Sequence, residues 1–140
     1  MKNLKIYFSF FICLLITFNG FAQKIENKKG VTYIDGKPFL KIEGGSLIMD
    51  NQPAKILSHQ SGKLLFVLTK HYYVYQGDKG HWYNELRFAD FDLSFKISYD
   101  YKPLIKSLYE NGVLTENGEL TKESIEKYIK LFGYTPPGGN

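Results

Sequence analysis

The sequence predicts an α+β fold: an antiparallel β-meander of about five to seven strands, followed by two short C-terminal helices packed on the sheet. Three observations predict it. Between Val31 and Tyr99 β-branched and aromatic residues dominate, interrupted at regular intervals by turn-forming residues. After Asp100 apolar residues recur every three or four positions, which is helical spacing. With 140 residues, 44% hydrophobic and 23% charged, the chain has the size and mix of one folded domain. That composition excludes both a disordered tail and a polytopic membrane protein.

The first twenty-two residues stand apart from the rest. Lys2 and Lys5 precede an apolar run over residues 6–18, and Asn19-Gly20-Phe21-Ala22 follows it. This is the pattern of a secretory signal peptide: a basic start, a short apolar centre, and small residues at −3 and −1 of a cut after Ala22. The run is too short for the roughly 20 apolar residues that a bilayer span requires. The expected organisation is therefore a signal over 1–22, a single α+β domain over 23–135, and a disordered tail over 136–140. A periplasmic or secreted destination follows, with no membrane span after cleavage.

Without the signal, sixteen basic residues face fourteen acidic ones, so the chain from Gln23 carries a net charge of only +2. Arg87 is the single arginine, and nucleic acid is not an expected partner. The only cysteine, Cys13, lies in the signal, so no disulfide can form in the exported chain. Phe11-Ile12 before it give no lipidation site.

Each element of the meander has its own punctuation. Val31-Thr32-Tyr33-Ile34 runs into Asp35-Gly36, a pair that accepts positive φ at both centres of a tight turn, and Pro38-Phe39-Leu40-Lys41-Ile42 returns from it. Gly44-Gly45 breaks that second strand. Residues 46–49 and 54–57 are expected as strands flanking a turn at Asp50-Asn51-Gln52-Pro53, and Gln60-Ser61-Gly62-Lys63 forms the next turn. Leu64-Leu65-Phe66-Val67-Leu68 continues as Thr69-Lys70-His71-Tyr72-Tyr73-Val74-Tyr75, buried on both faces at one end and half-exposed at the other, as a central strand would be. Gly77-Asp78-Lys79-Gly80 turns it into His81-Trp82-Tyr83. Leu86 and Phe88 then lie on even positions while Phe91, Leu93, Phe95 and Ile97 lie on odd ones, so the apolar face must switch near Ala89-Asp90, by a bulge or a short break. Five turns are expected in all.

The helices follow their own signals. Pro103 suits a first helical turn, Leu104, Ile105, Leu108 and Tyr109 form a stripe, and Asn111-Gly112 supplies the stop. Thr121 is an N-cap with Glu123 in the first turn, and Ile125, Ile129 and Phe132 line one face until Gly133. Mixed charges at Lys122, Glu123, Glu126, Lys127 and Lys130 argue against a DNA-reading helix.

Chemistry is written less clearly. His59, His71 and His81 lack zinc-ligand spacing, so no metal or cofactor is expected. Ser58-His59 with Ser61 could supply a nucleophile and base, but triads are recognised by geometry. Asp90 and Asp92 are expected on the solvent face of a strand. The distinctive feature is aromatic: Tyr72, Tyr73, Tyr75, Trp82 and Tyr83 gather around one hairpin, with Glu85 beside them. Tyr and Trp present large rigid area at low entropic cost, which suits protein contacts. The expected function is that of a small exported cell-envelope protein without enzymatic activity, binding a protein partner as an inhibitor or immunity-type protein does. The alternative is a carbohydrate-binding module or small hydrolase using the aromatic hairpin surface around Tyr72 to Glu85, with Glu85 or His71.

Overall fold

The computed structural model describes residues 23–77 and 79–136. The expected signal segment 1–22 lies outside them, as do residues 137–140 of the expected tail; Pro136 itself is buried. Seven strands form one antiparallel sheet in sequence order: β1 (Ile25–Lys28), β2 (Val31–Ile34), β3 (Lys37–Glu43), β4 (Ala54–Ser58), β5 (Leu64–Tyr73), β6 (His81–Phe88) and β7 (Leu93–Ile97). Two helices complete the chain, α1 (Tyr101–Glu110) and α2 (Lys122–Phe132). The predicted meander with two C-terminal helices is the observed architecture.

The local chemistry explains most boundaries. Asp35 and Gly36 take φ of 51° and 80°, the left-handed pair that a tight β2–β3 hairpin requires. Lys29 and Gly30 do the same at 49° and 76° between β1 and β2. That first hairpin was not among the five turns expected, and β1 is a strand the residue pattern did not announce. Residues 46–49 are not a strand. The Ser46 hydroxyl accepts the backbone N–H groups of Ile48 and Met49 at 3.1 and 3.0 Å, which folds these residues into a turn and takes their donors away from any ladder. The whole stretch from Gly44 to Pro53 is one connection. β5 is interior, between β4 and β6, but the middle of the seven is β4.

Alternation divides the sheet into two unlike faces. Cross-strand partners Ile42–Ile56–Phe66 and Ala54–Leu68–Leu86–Phe95 carry the core face. Leu104, Ile105 and Leu108 of α1 and Ile125 and Tyr128 of α2 join the same buried cluster. Tyr128, which the stripe Ile125–Ile129–Phe132 passed over, is the largest buried side chain of α2; its ring meets Phe95 edge-on at 5.6 Å and its hydroxyl donates to Ser107 of α1 at 2.7 Å. Thr32, wholly buried, contacts Asn27 Oδ1 at 2.6 Å and the Tyr101 hydroxyl at 2.7 Å, tying β1, β2 and α1 together. The opposite face is polar, with Lys41, Glu43, Lys55, Arg87 and Ser94 exposed.

The face switch after Phe88 occurs where expected, and its device is a short break. Residues Ala89–Phe91 form one 3₁₀ turn and Asp92 closes it at φ 51°, pairing Phe88 with Leu93 and Leu86 with Phe95. Asp90 and Asp92 are exposed, but on this turn and not on a strand face, because the turn consumes them. Helix ends match their caps. Thr121 Oγ1 accepts from Ser124 N–H at 3.3 Å, and Gly112 at φ 72° lets Val113 N–H return to Leu108 O at 2.9 Å.

Candidate functional site

The hairpin of β5 and β6 outruns its neighbours. β4 begins at Ala54 opposite Leu68, and β7 ends at Ile97 opposite Asn84, so residues 70–73 of β5 and 81–83 of β6 project as a two-stranded arm. The connection between β3 and β4 braces one side of it: Asn51 N–H donates to Lys70 O at 2.8 Å, and Tyr72 N–H donates to the Asp50 carboxylate at 2.8 Å. On the other side Asn84 Nδ2 donates to Tyr99 O at 2.6 Å, which turns the chain from β7 into α1.

Alternation sorts the aromatic residues of the arm into two sites. Tyr72 and Trp82 are direct cross-strand partners on the helix-bearing face, beyond the end of the core, with ring centroids 4.8 Å apart. Each is 45% exposed. Lys70 sits over the Trp82 ring at 5.1 Å and reaches Asp100 Oδ1 at 3.1 Å. A Cβ on Gly80 would run into the Tyr72 ring, so this glycine is what lets that ring lie down beside the turn. Val74 and Tyr75 follow the end of β5 and are exposed. Ile48 and Met49, brought alongside by the Asp50 and Asn51 bonds, extend the apolar surface.

Tyr73, Tyr83 and Glu85 lie on the opposite face. His71 Nε2 and Glu85 Oε2 are 3.1 Å apart, and the His71 ring stacks on Tyr83 at 5.0 Å and 25°. Lys96 stands over the same Tyr83 ring at 5.4 Å. Tyr134 arrives from beyond α2: its N–H donates to Lys96 O at 2.7 Å, and its hydroxyl meets that of Tyr73 at 2.8 Å. Beside this group an open cavity of about 370 Å³ is lined by Glu85, Ser94, Lys96 and Tyr134. The six residues singled out from the sequence are thus split, Tyr72 and Trp82 from Tyr73, Tyr83 and Glu85, while Tyr75 lies exposed past the end of β5 and joins neither group. Lys70, Lys96 and Tyr134 were missed, since nothing in their local sequence marks them and only the register of β5 to β7 brings them in.

The remaining sequence candidates do not assemble. Ser58 Oγ accepts the Ser61 N–H at 3.3 Å, and Ser61 Oγ accepts that of Lys63, so both hydroxyls serve the turn after β4. His59 is exposed on that turn. Among the described residues no three of His, Cys, Asp and Glu come together as a metal site, and no helix is long and apolar enough to cross a membrane.

Two tyrosines carry a pH signature. The hydrogen bond to Tyr134 and partial desolvation push the Tyr73 hydroxyl up to about 12. Burial pushes the Tyr101 hydroxyl up to about 12, its hydrogen bond with Thr32 opposing only in part. Below the ordinary tyrosine value of about 10 both states keep these protons and the contribution is fully present. As pH rises from about 10 to 12 the unfolded chain loses them first, so stability falls across that window. Urea melts across that range should show the decline, and Y101F should make it shallower; an unchanged slope in Y101F would contradict the assignment. Compared with known proteins, the chain matches no family model, no curated protein and no solved structure.

Proposed function

We propose that the chain is an exported, non-enzymatic binding protein that engages a protein partner through the projecting end of β5–β6, as inhibitors and immunity-type proteins do. The observation that carries this reading is the continuous exposed apolar surface on the arm. Tyr72 and Trp82 meet there at a tilt of 51°, with Val74 58% exposed after them and Ile48 and Met49 of the adjoining β3–β4 connection at 78% and 57%. An isolated exposed aliphatic residue is ordinary, whereas a contiguous group with two aromatic anchors marks a contact surface. The end of the arm also runs past the ends of β4 and β7, which leaves the Tyr72 and Trp82 rings open to a partner. Export rests on the basic, apolar and small-residue pattern of residues 1–22.

A second reading is favoured by one observation, the His71–Glu85 pair, whose Glu85 lines the open cavity at the β7 edge. A carboxylate that orients a histidine is half of an acid–base arrangement. The Ser94 hydroxyl lines the same cavity, and the tyrosine hydroxyls of 73 and 134 are occupied with each other. A sugar or hydrolysable substrate there would make His71→Ala and Glu85→Gln the informative variants.

The test is capture from the envelope fraction of the source cells with tagged residues 23–140, read by mass spectrometry. One stoichiometric protein should be retained by the native chain and lost by Tyr72→Ala and Trp82→Ala, both of which should melt within about 1 kcal/mol of the native protein because the rings are half-exposed. Gly80→Ala, which displaces the Tyr72 ring without deleting it, should weaken capture as well. Recovery of the chain alone, or retention indifferent to all three changes, would defeat the reading. N-terminal sequencing of the natural protein should begin at Gln23 if residues 1–22 are a cleaved signal.

A further inference from the structure

We propose that the cleft between the β3–β4 connection and the first turn of α1 binds a small amphipathic carboxylate, an anionic head carried on an apolar body. The cleft holds about 400 Å³. Leu47 and Ile48 form one wall, and Tyr101 and Pro103 form the other. The Tyr101 hydroxyl is already committed to Thr32, so these walls offer the ligand apolar surface. The same cleft is lined by two ammonium groups, Lys70 and Lys102, by one carboxylate, Asp100, and by the Asn27 amide, whose oxygen accepts the Thr32 hydroxyl.

Lys70 is the group that selects the head. Its side chain is only 15% exposed, yet its ammonium has one hydrogen-bond acceptor, Asp100 Oδ1 at 3.1 Å, with the Trp82 ring beneath it. An ammonium has three donors, so a largely buried one holding a single acceptor keeps capacity for another oxygen. The Asp100 side chain is 81% exposed, so water screens its repulsion of an incoming anion. Lys102 is exposed on the first turn of α1 and tips the local balance toward positive charge. Apolar walls with a few placed polar groups are the usual form of a site for such a ligand. The cleft adjoins the contact surface on the arm, sharing Ile48 and meeting it where Lys70 lies over Trp82, but the proposal does not depend on the partner reading.

Trp82 is the only tryptophan and lies against Lys70, so it reports on the head directly. Decanoate, decanol and decyltrimethylammonium are titrated into the chain from Gln23 onward, followed by Trp82 fluorescence and by calorimetry. Acetyl-Leu-Leu is titrated as the free acid and as the amide. Decanoate should saturate below about 1 mM and bind roughly tenfold more tightly than decanol, with decyltrimethylammonium weakest. Lys70→Met, which keeps the stem, should bring decanoate down to the decanol level. Asp100→Asn should tighten binding a few-fold, and the exposed change Lys102→Gln, which cannot disturb the core, should weaken it a few-fold. Saturation by the peptide acid in place of decanoate would keep the chemistry and assign its source to a chain terminus. Equal binding of decanoate and decanol, or no saturation of either acid by calorimetry, would overturn the proposal, as would a well-folded Lys102→Gln and Lys70→Met pair that bind as the native chain does.

Discussion

Replacing Phe66 with alanine is expected to cost about 3–5 kcal/mol, the range for emptying a buried aromatic site. Phe66 is wholly buried on β5, opposite Ile56 of β4, and its ring packs against Phe88 of β6 at 5.4 Å. Three strands and the helices above them lose a common contact at once. Because these neighbours are themselves held by sheet pairing, they cannot close over the space. Domains of this size are stable by about 5–15 kcal/mol, so the variant forfeits a large part of the total. In urea the midpoint should drop while the slope is unchanged. A loss under about 1.5 kcal/mol would mean that the sheet and helices do not meet at Phe66.

The second large effect is expected at a glycine. Gly45 has φ of 54°, and a Cβ there would collide with the backbone of Pro53 and Ala54. Gly44 beside it has φ of 65° with nothing within 4 Å of the same added carbon. Gly44→Ala therefore carries only the left-handed penalty of about 1–2 kcal/mol. Gly45→Ala adds a displacement of the chain entering β4, and a total above about 3 kcal/mol is expected. Paired thermal melts of the two variants decide the matter, since equal losses would mean that the connection does not close tightly on itself. Gly45→Ala should also disturb the cleft wall formed by Leu47 and Ile48, which the same connection carries.

What could be read from the sequence was local. Asp35-Gly36, the Asn111-Gly112 stop and the Thr121 cap each declare themselves within four residues, and each stands where it was expected. The face switch after Phe88 was legible because period-two alternation breaks visibly there. β1 was not, since Ile25 is the one apolar residue among Ile25–Lys28 and the strand exists by pairing with β2. Residues 46–49 read as a strand because Leu47, Ile48 and Met49 are apolar, but the Ser46 hydroxyl and two left-handed glycines outweigh that preference. At the candidate site, alternation already placed Tyr72 and Tyr73 on opposite faces. Which of those faces the helices cover, and that Tyr134 reaches Tyr73 across sixty-one positions, depends on long-range packing that no local pattern encodes.

The sequence-ordered sheet has a consequence for how the chain comes to be folded. Each strand pairs with the one made just before it, from β1 through β7, so no strand waits for a distant segment. Such nearest-neighbour wiring keeps the loop-closure penalty small at every step and favours fast assembly. It also suits a polypeptide delivered end first, whether from a ribosome or through a membrane pore. The cover of the sheet comes last, because α1 and α2 occupy the final third of the described residues. Until they arrive, Ile56, Phe66, Leu68 and Leu86 have nothing to shield them from water, and it is in this interval that the growing chain has most to gain from a chaperone.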